Sequence, residues 1–202
     1  PTGTYSDTDS VEQFLEALPS TVLAVLDEAY FEYVTKSDYP DGVSLLSRFP
    51  NLVVVRTFSK AYGLAGLRVG YGIASKEIAE VLNRVRHPFN VNSLALAAAE
   101  AALGDESFLA DSVRRNLEGL KQLGSGLDEL GLDWIPSVAN FICARVGTNA
   151  GQIYDAMLKL GVIVRPVANY GLPEHLRISV GLESENVRAL AVLSEARTSS
   201  EP

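Results

Sequence analysis

Residues 52–70 read LVVVRTFSKAYGLAGLRVG. The four apolar residues at 52–55 predict a buried strand, and polar side chains follow where that strand ends. In α/β proteins, ligands bind at the carboxyl ends of the strands. Two hydroxyls (Thr57 and Ser59), an amine (Lys60) and a guanidinium (Arg68) therefore fall where a ligand site is expected. A surface loop with a solvated Lys and Arg is the alternative interpretation, because the motif is short.

These groups have a common chemistry. Hydroxyls combined with Arg suit a phosphate, because a guanidinium binds phosphate oxygens in a bidentate way. A Lys beside the phosphate can form a Schiff base with a carbonyl group. A second apolar strand, residues 23–26, ends in Asp27, and the phenol of Tyr30 follows three residues later. Glu28 is expected on the opposite face of that strand from Asp27, which makes it a poor candidate for the same ligand.

The two segments together resemble the fold-type I aminotransferases, which use pyridoxal 5′-phosphate (PLP). The resemblance implies that Asp27 contacts the pyridinium nitrogen and that Tyr30 contacts the phenolic ring oxygen. It implies that Lys60 is the catalytic residue, which binds the aldehyde carbon and later moves a proton between substrate and cofactor. The phosphate-binding set of the family matches Thr57, Ser59 and Arg68. From the residues alone, Tyr30 is explained equally well as an aromatic residue at an interface.

Composition narrows the function class. The chain has 202 residues, 47% of them hydrophobic and 21% charged, which is ordinary for a globular protein. The net charge is −8 and no basic cluster occurs, so neither a nucleic acid nor a membrane is an expected partner. A single Cys143 excludes an internal disulfide and favours a reducing, cytoplasmic location. His87 and His175 have no paired carboxylates nearby, so no metal site is predicted.

Alternating strand and helix patterns predict an α/β fold. The resemblance implies the C-terminal half of the large, mixed-sheet PLP domain, followed by the small α/β domain of the family. We expect the large-domain part at residues 1–104, a connecting helix at 105–130 and the small domain at 131–202. Other patterns predict a capping box at Ser10, a helix capped by Ser75, a buried helix at 94–103, a helix capped by Ser184 and a disordered tail at 198–202.

The sequence begins Pro-Thr-Gly, which resembles the end of an Asn-Pro-Thr-Gly motif in this family. We therefore expect the chain to be the C-terminal part of a longer enzyme. The features that the family carries upstream are an Asn, an aromatic residue that stacks on the cofactor and a segment that reaches across a dimer. The resemblance thus implies two partners, the missing N-terminal segment and a second copy in a homodimer.

Three longer strings narrow the resemblance to histidinol-phosphate aminotransferases: PFNVNSL at 88–94, ANFI at 139–142, and GVIVRPVANYGLPEHLRISVG at 161–181. Arg177 interrupts an otherwise apolar strand, so it needs an anionic partner. In the resembling family the corresponding Arg binds the substrate carboxylate. Arg165 and Asn140 are secondary candidates for substrate binding, and a surface ion pair explains Arg165 equally well. The implied reaction moves an amino group between histidinol phosphate and 2-oxoglutarate in histidine biosynthesis.

Three alternative functions stay open at this point. An aminotransferase for aromatic amino acids would share nearly all of these motifs. A PLP lyase such as threonine-phosphate decarboxylase would share the phosphate site but cleave a different bond. A non-catalytic binding module could keep the phosphate site without turnover. The implied substrates are in each catalytic case small amines and 2-oxo or amino acids.

Overall fold

A computed structural model describes residues 2–199. The chain forms two compact units, one of residues 5–112 and the other of residues 2–4 and 113–199, with the boundary inside α5. Strands and helices alternate in the α/β manner expected from the sequence. The elements are α1 (Thr8–Ala17), β1 (Ala24–Asp27), α2 (Gly42–Leu45), β2 (Leu52–Thr57), β3 (Gly70–Ala74), α3 (Lys76–Val85), α4 (Ser93–Leu103), α5 (Glu106–Glu129), β4 (Trp134–Ile135), β5 (Phe141–Arg145), α6 (Ala150–Lys159), β6 (Arg165–Val167), β7 (Leu172–Ser179) and α7 (Glu183–Ser199).

The first unit contains a three-stranded sheet in the order β1-β2-β3. β1 runs parallel to β2, and Asp27 pairs with Val55. β3 runs antiparallel to β2, and Gly70 pairs with Thr57. Because β1 and β2 are parallel, their carboxyl ends lie at the same edge of the sheet. The polar residues that follow the two strands are therefore neighbours in the fold.

Apolar residues cover β2 in this first unit. Leu52, Val53 and Val54 are all buried, as a near-continuous apolar run requires when a strand is covered on both faces. One cluster of buried side chains joins the sheet to α1 and α2, and another joins the loop after β2 to α4. The members of the two clusters are Leu15, Ala24, Leu45, Phe49, Leu52 and Val54 in the first, and Phe58, Val69, Ala95 and Ala99 in the second.

The second unit contains a four-stranded antiparallel sheet in the order β4-β5-β7-β6. Its core is larger, and buried residues of α5, α6 and α7 pack against the apolar side chains of β5 and β7. α5 continues through Gly124, where an added Cβ would lie 2.9 Å from Trp134. A glycine in this helix is thus explained by close packing. Within residues 2–199, no helix is both long and apolar enough to cross a membrane.

Four local predictions are wrong. α1 is capped by Asp7, whose carboxylate accepts the Ser10 amide at 2.8 Å, so Ser10 lies inside the helix. α7 begins at Glu183, so Ser184 also lies inside a helix. The helix at 94–103 packs only its alanine face, and Leu94 is 77% exposed. Residues 198–199 belong to α7, and residues 200–202 lie outside the described part of the chain. The cap at Ser75 is confirmed, since its hydroxyl accepts the Ile78 amide.

Candidate active site

Asp27 is the last residue of β1 and is exposed. Its Oδ1 accepts a hydrogen bond from the Ala29 amide at 3.0 Å, which turns the chain immediately after the strand. Across the sheet, the Glu28 amide donates to the Val55 carbonyl at 2.9 Å, so pairing with β2 extends one residue beyond Asp27. The carboxylate is therefore held on an ordered backbone and faces solvent, where a ligand can reach it.

The loop after β2 is tightly folded. The Thr57 hydroxyl oxygen accepts the Ser59 amide at 3.0 Å. The Lys60 carbonyl accepts the Gly63 amide at 2.9 Å, and Gly63 has φ +71°, a left-handed value that favours glycine. The Phe58 carbonyl accepts the Leu64 amide at 2.9 Å. These bonds fix the backbone that carries Thr57, Ser59 and Lys60, and they leave the proton of the Thr57 hydroxyl available to donate to a ligand.

The structure brings Tyr30 and Lys60 together. Lys60 Nζ lies 5.2 Å from the centroid of the Tyr30 ring, within the range of a cation–π contact. Both side chains are half-buried. One residue follows β1 and the other follows β2, so the amine and the phenol meet because the two parallel strands end side by side.

Arg68 has an unusual backbone for a non-glycine residue, with φ 55° and ψ 47° in the left-handed region. It is exposed, and its Nη1 donates to the Ala65 carbonyl at 2.8 Å. The following residue, Val69, is buried against Phe58 and accepts the Phe58 amide at 3.2 Å. The left-handed turn thus anchors the end of the loop to the residue after Thr57 and keeps the guanidinium on the loop surface.

A buried ion pair that was not predicted from the sequence lies next to these residues. Glu28 is 1% exposed, and its Oε2 accepts a hydrogen bond from Arg56 Nε at 2.9 Å and forms an ion-pair contact with Nη2 at 2.8 Å. Its Oε1 accepts the Gly42 amide at 2.7 Å. Arg56 Nη2 also contacts Asp41 Oδ1 at 2.7 Å, and the guanidinium lies 3.5 Å from the centre of the Phe31 ring. Glu28 is therefore fully engaged away from Asp27, as its alternate position in the strand predicts.

The charges of Glu28 and Asp41 stabilise the protonated form of Arg56. Burial by itself lowers the pKa of Arg56, but the hydrogen bond and charge of Glu28, with the charge of Asp41, raise that pKa above its ordinary value. The guanidinium is thus charged at every pH at which the protein folds. Burial beside Glu28 also raises the pKa of Tyr39 to about 12, so this phenol stays neutral.

The remaining predicted residues, Arg177, Arg165 and Asn140, lie in the second unit. Arg177 on β7 pairs directly with Arg165 on β6. Arg177 Nε is buried and has no hydrogen-bond partner among the described residues, and the guanidinium lies 4.6 Å from the Phe141 ring centroid. Arg165 is exposed and donates to the Tyr170 hydroxyl at 3.2 Å. The Asn140 carbonyl accepts the Val180 amide at 2.9 Å, which joins the start of β5 to the end of β7.

Cys143 and His175, which also lie in the second unit, are not among the predicted site residues. Cys143 is fully buried, and burial raises the pKa of its thiol despite the charge of Arg177, so it behaves as a small apolar residue. His175 is half-buried on β7. Within residues 2–199, no group of three or more His, Cys, Asp or Glu side chains is arranged to hold a metal ion.

Residues 1–192 match the family described as aminotransferase class I and II. The chain belongs to the class I and II aminotransferases. It is 58% identical over 193 residues to histidinol-phosphate aminotransferase 2 of Pseudomonas fluorescens (strain Pf0-1), covering 96% of this chain and 52% of that relative. The chain thus spans about half the length of this curated relative.

Solved structures of an aminotransferase and of a decarboxylase agree with the fold. Histidinol-phosphate aminotransferase from Sinorhizobium meliloti, solved in complex with pyridoxal 5′-phosphate, is 34% identical and superposes with a TM-score of 0.91, covering 100% of this chain and 56% of that one. L-threonine-O-3-phosphate decarboxylase from Porphyromonas gingivalis is 26% identical with a TM-score of 0.83, covering 100% of this chain and 62% of that one. The expected fold, the fold-type I α/β architecture, is therefore confirmed over the length of this chain.

Proposed function

We propose that this chain is the part of a histidinol-phosphate aminotransferase that carries the catalytic Lys60. The enzyme exchanges an amino group between histidinol phosphate and 2-oxoglutarate, in the biosynthesis of histidine. The observation that carries the proposal is the meeting of Lys60 and Tyr30 at the strand ends beside the exposed Asp27. An amine, a phenol and a carboxylate are the groups that the resembling family places around PLP, and the similarity to histidinol-phosphate aminotransferases supports the proposed function.

The residues of the first unit fit PLP by their chemistry. When bound, the cofactor supplies an electron-withdrawing ring that stabilises negative charge on the substrate carbon. Asp27 would accept the proton of the pyridinium nitrogen in a charge-assisted hydrogen bond, which keeps the ring electron-poor. Tyr30 would donate to the ring oxygen. Lys60 would hold the cofactor covalently and then, as a neutral amine, move the proton at the reacting carbon.

The phosphate of the cofactor would be held by Thr57, Ser59 and Arg68. The Thr57 oxygen already accepts the Ser59 amide, so its proton is directed outward as a donor. The Arg68 guanidinium is exposed and makes one hydrogen bond within residues 2–199, from Nη1 to the Ala65 carbonyl, so its other N–H groups can turn toward an anion without leaving a buried site. Two hydroxyls and one guanidinium then share a doubly charged group.

The substrate anion would be bound by Arg177 with help from Arg165. Like charges directly opposite on neighbouring strands destabilise a sheet, and these two arginines are cross-strand partners. A bound anion removes that cost, and the buried Nε of Arg177 gives it a donor to satisfy. A planar guanidinium can donate two hydrogen bonds to a carboxylate or to a phosphate ester, and the two substrates carry one of these groups each. Asn140 would contribute a weaker polar contact.

The partners are part of the same proposal. Because the chain spans about half of the curated relative, we propose that an N-terminal segment of the same enzyme completes the cofactor site, and that the enzyme is a homodimer. The single buried Cys143 suits a reducing compartment and supports a cytoplasmic location. The division into a large-domain part at 1–104, a connecting helix at 105–130 and a small domain at 131–202 is likewise a proposal.

The covalent role of Lys60 is tested by chemical reduction. The test protein is a chimera in which the upstream half of the Pseudomonas fluorescens relative precedes this chain. PLP is added, the complex is reduced with borohydride, and the peptides are mapped by mass spectrometry. We expect the label on Lys60. A label on Lys36, Lys76, Lys121 or Lys159 would contradict the assignment.

One second function has a specific observation in its favour, the likeness to threonine-phosphate decarboxylase at 26% identity. A decarboxylase would release CO₂ from an amino acid phosphate, whereas the proposed enzyme would convert 2-oxoglutarate to glutamate. Measuring both products on the same chimera separates the two functions. An aminotransferase for aromatic amino acids would instead favour an aromatic amino donor over histidinol phosphate.

A further inference from the structure

Burying the ion pair of Glu28 and Arg56 costs desolvation free energy, which the attraction between the two charges must offset. A carboxylate that is 1% exposed loses nearly all of its hydration. Such a pair is often no more stabilising than apolar side chains of similar volume, because desolvation offsets the attraction. Stability alone is therefore a weak reason for this pair, and a role in fixing geometry is the alternative.

The location of the pair indicates which geometry it fixes. Glu28 directly follows Asp27 at the end of β1, and Arg56 directly precedes Thr57 at the end of β2. Asp27 and Thr57 are the residues that we assign to opposite ends of the cofactor, the pyridinium nitrogen and the phosphate. Adjacent residues of a strand face opposite ways, so the ion pair lies behind the face that carries both ligands.

The contacts of the pair restrain motion in more than one direction. Arg56 Nε donates to Glu28 Oε2, and Nη2 lies 2.8 Å from the same oxygen while it donates to Asp41 Oδ1, so contacts to two carboxylates fix the orientation of the guanidinium plane. Phe31, 3.5 Å away, closes one side of that plane. The Gly42 amide holds the other carboxylate oxygen, and an added Cβ at Gly42 would lie 2.8 Å from it. The carboxylate thus has no room to shift toward α2.

We propose that Glu28 and Arg56 are positioning residues that hold Asp27 and Thr57 at the separation required by PLP. This inference rests on the proposed function, since it assumes that Asp27 and Thr57 bind the cofactor. Neither member of the pair touches the cofactor. Their effect is to keep the ends of β1 and β2 from sliding or splaying when the cofactor binds between the loops that follow them.

The test is a PLP titration of the chimera and its variants. In Arg56→Lys the charge remains but the planar guanidinium that joins Glu28 to Asp41 is lost, so we expect the dissociation constant of PLP to rise about ten-fold, which corresponds to about 1.4 kcal/mol of binding free energy. In Glu28→Gln the shape remains but the charge is lost, and a similar rise is expected. The pH midpoint of the cofactor absorbance change should also move, because that midpoint depends on how Asp27 and Tyr30 meet the ring.

The matched control is the exposed ion pair of Arg48 and Glu12 in the same unit, with a 2.6 Å contact. Arg48→Lys should leave both the dissociation constant and the absorbance midpoint unchanged. Asp41→Asn is the milder companion variant, because it removes only the charge of the outer, half-exposed partner of Arg56 and leaves an Oδ1 that can still cap α2. We expect it to fold and to weaken PLP binding by less than Arg56→Lys does.

The outcomes are distinct. If the variants lose stability toward urea but bind PLP with the affinity and absorbance of the parent chimera, the pair is merely structural and the inference is wrong. If Arg56→Lys does not fold, Glu28→Gln and Asp41→Asn decide the matter by the same two measurements. If the parent chimera itself fails to form a reducible adduct at Lys60, the proposed function fails, and that result is separate from any result with the variants.

Discussion

Gly70 offers a sharp test of how closely β3 must approach the candidate phosphate site. A Cβ added at Gly70 would lie 2.8 Å from the backbone carbonyl oxygen of Arg56 and 3.5 Å from the Thr57 Cα. The obstacle is backbone, so no side chain can rotate away. To restore an ordinary contact of about 3.4 Å, Gly70→Ala must push β3 away from β2 by about 0.6 Å.

The expected magnitude follows from that displacement. Overpacking of this kind costs about 1–3 kcal/mol, which for a chain of this length lowers the melting temperature by about 2–12 °C. The Thr57 backbone moves with the strands. A hydrogen bond to a charged group contributes about 1.5–3 kcal/mol, so loss of the Thr57 contact with the phosphate should make the chimera carrying Gly70→Ala bind PLP about ten-fold more weakly.

Gly72→Ala is the matched control on the same strand and the same face. The nearest atom to a Cβ at Gly72 is 3.8 Å away, an ordinary contact, so the added methyl group fits. This variant should be as stable as the parent or up to about 1 kcal/mol more stable, because alanine restricts the unfolded chain. Differential scanning calorimetry of the chain and PLP titration of the chimera give the two readouts. Equal melting temperatures and equal PLP affinities for the two variants would refute the argument.

Three further predictions concern other parts of the chain. Arg177→Ala in the chimera should weaken both glutamate and histidinol phosphate by about 2–5 kcal/mol, as measured in separate half-reactions; loss of glutamate alone would assign the phosphate ester to Arg165 or an upstream residue. Without the upstream half, the chain should transaminate at least about 100-fold more slowly than the chimera in a coupled glutamate assay, because cofactor contacts are missing. Burial raises the pKa of the Glu32 carboxyl above its ordinary value of 4.5. The free energy of unfolding therefore falls as the pH rises from about 4.5 through the raised pKa, because the buried carboxyl must then ionise. Glu32→Gln should therefore unfold at a higher urea concentration than the parent at pH 7 but not at pH 4, and an equal gain at both pH values would exclude this cause.

The sequence predicted the local chemistry of the site better than its surroundings. The opposite faces of Asp27 and Glu28 follow from the two-residue period of a strand, and the structure has one exposed and the other buried. Arg56 as the partner of Glu28 was missed, because the two are 28 residues apart and meet only in one pairing of β1 with β2. The assignment of Lys60 and its neighbours to PLP stays a prediction.

The burial and the capping of two helices were also predicted incorrectly from the sequence. A run that is apolar on every side, residues 94–103, predicted complete burial, but in the structure only Ala95 and Ala99 are buried. Periodicity reports which faces of a helix can be buried, whereas the partner that covers them depends on other segments. Asp7 rather than Ser10 caps α1 for a related reason, since several polar residues in a row can each serve as a cap and small differences in backbone decide.

The pairing of β1 with β2 has a consequence for how this chain folds. Leu52, Val53 and Val54 of β2 are all buried, so these three residues alone distinguish weakly between neighbouring alignments with β1, whose own burial alternates. A shift of one residue would turn Asp27 inward, leave Glu28 on the ligand face and separate it from Arg56. A chain that refolds with β1 and β2 shifted by one residue would keep its helices and most of its core, yet lack a cofactor site. The charged pair thus adds to the selection of the correct alignment during folding, together with the alternating burial of β1.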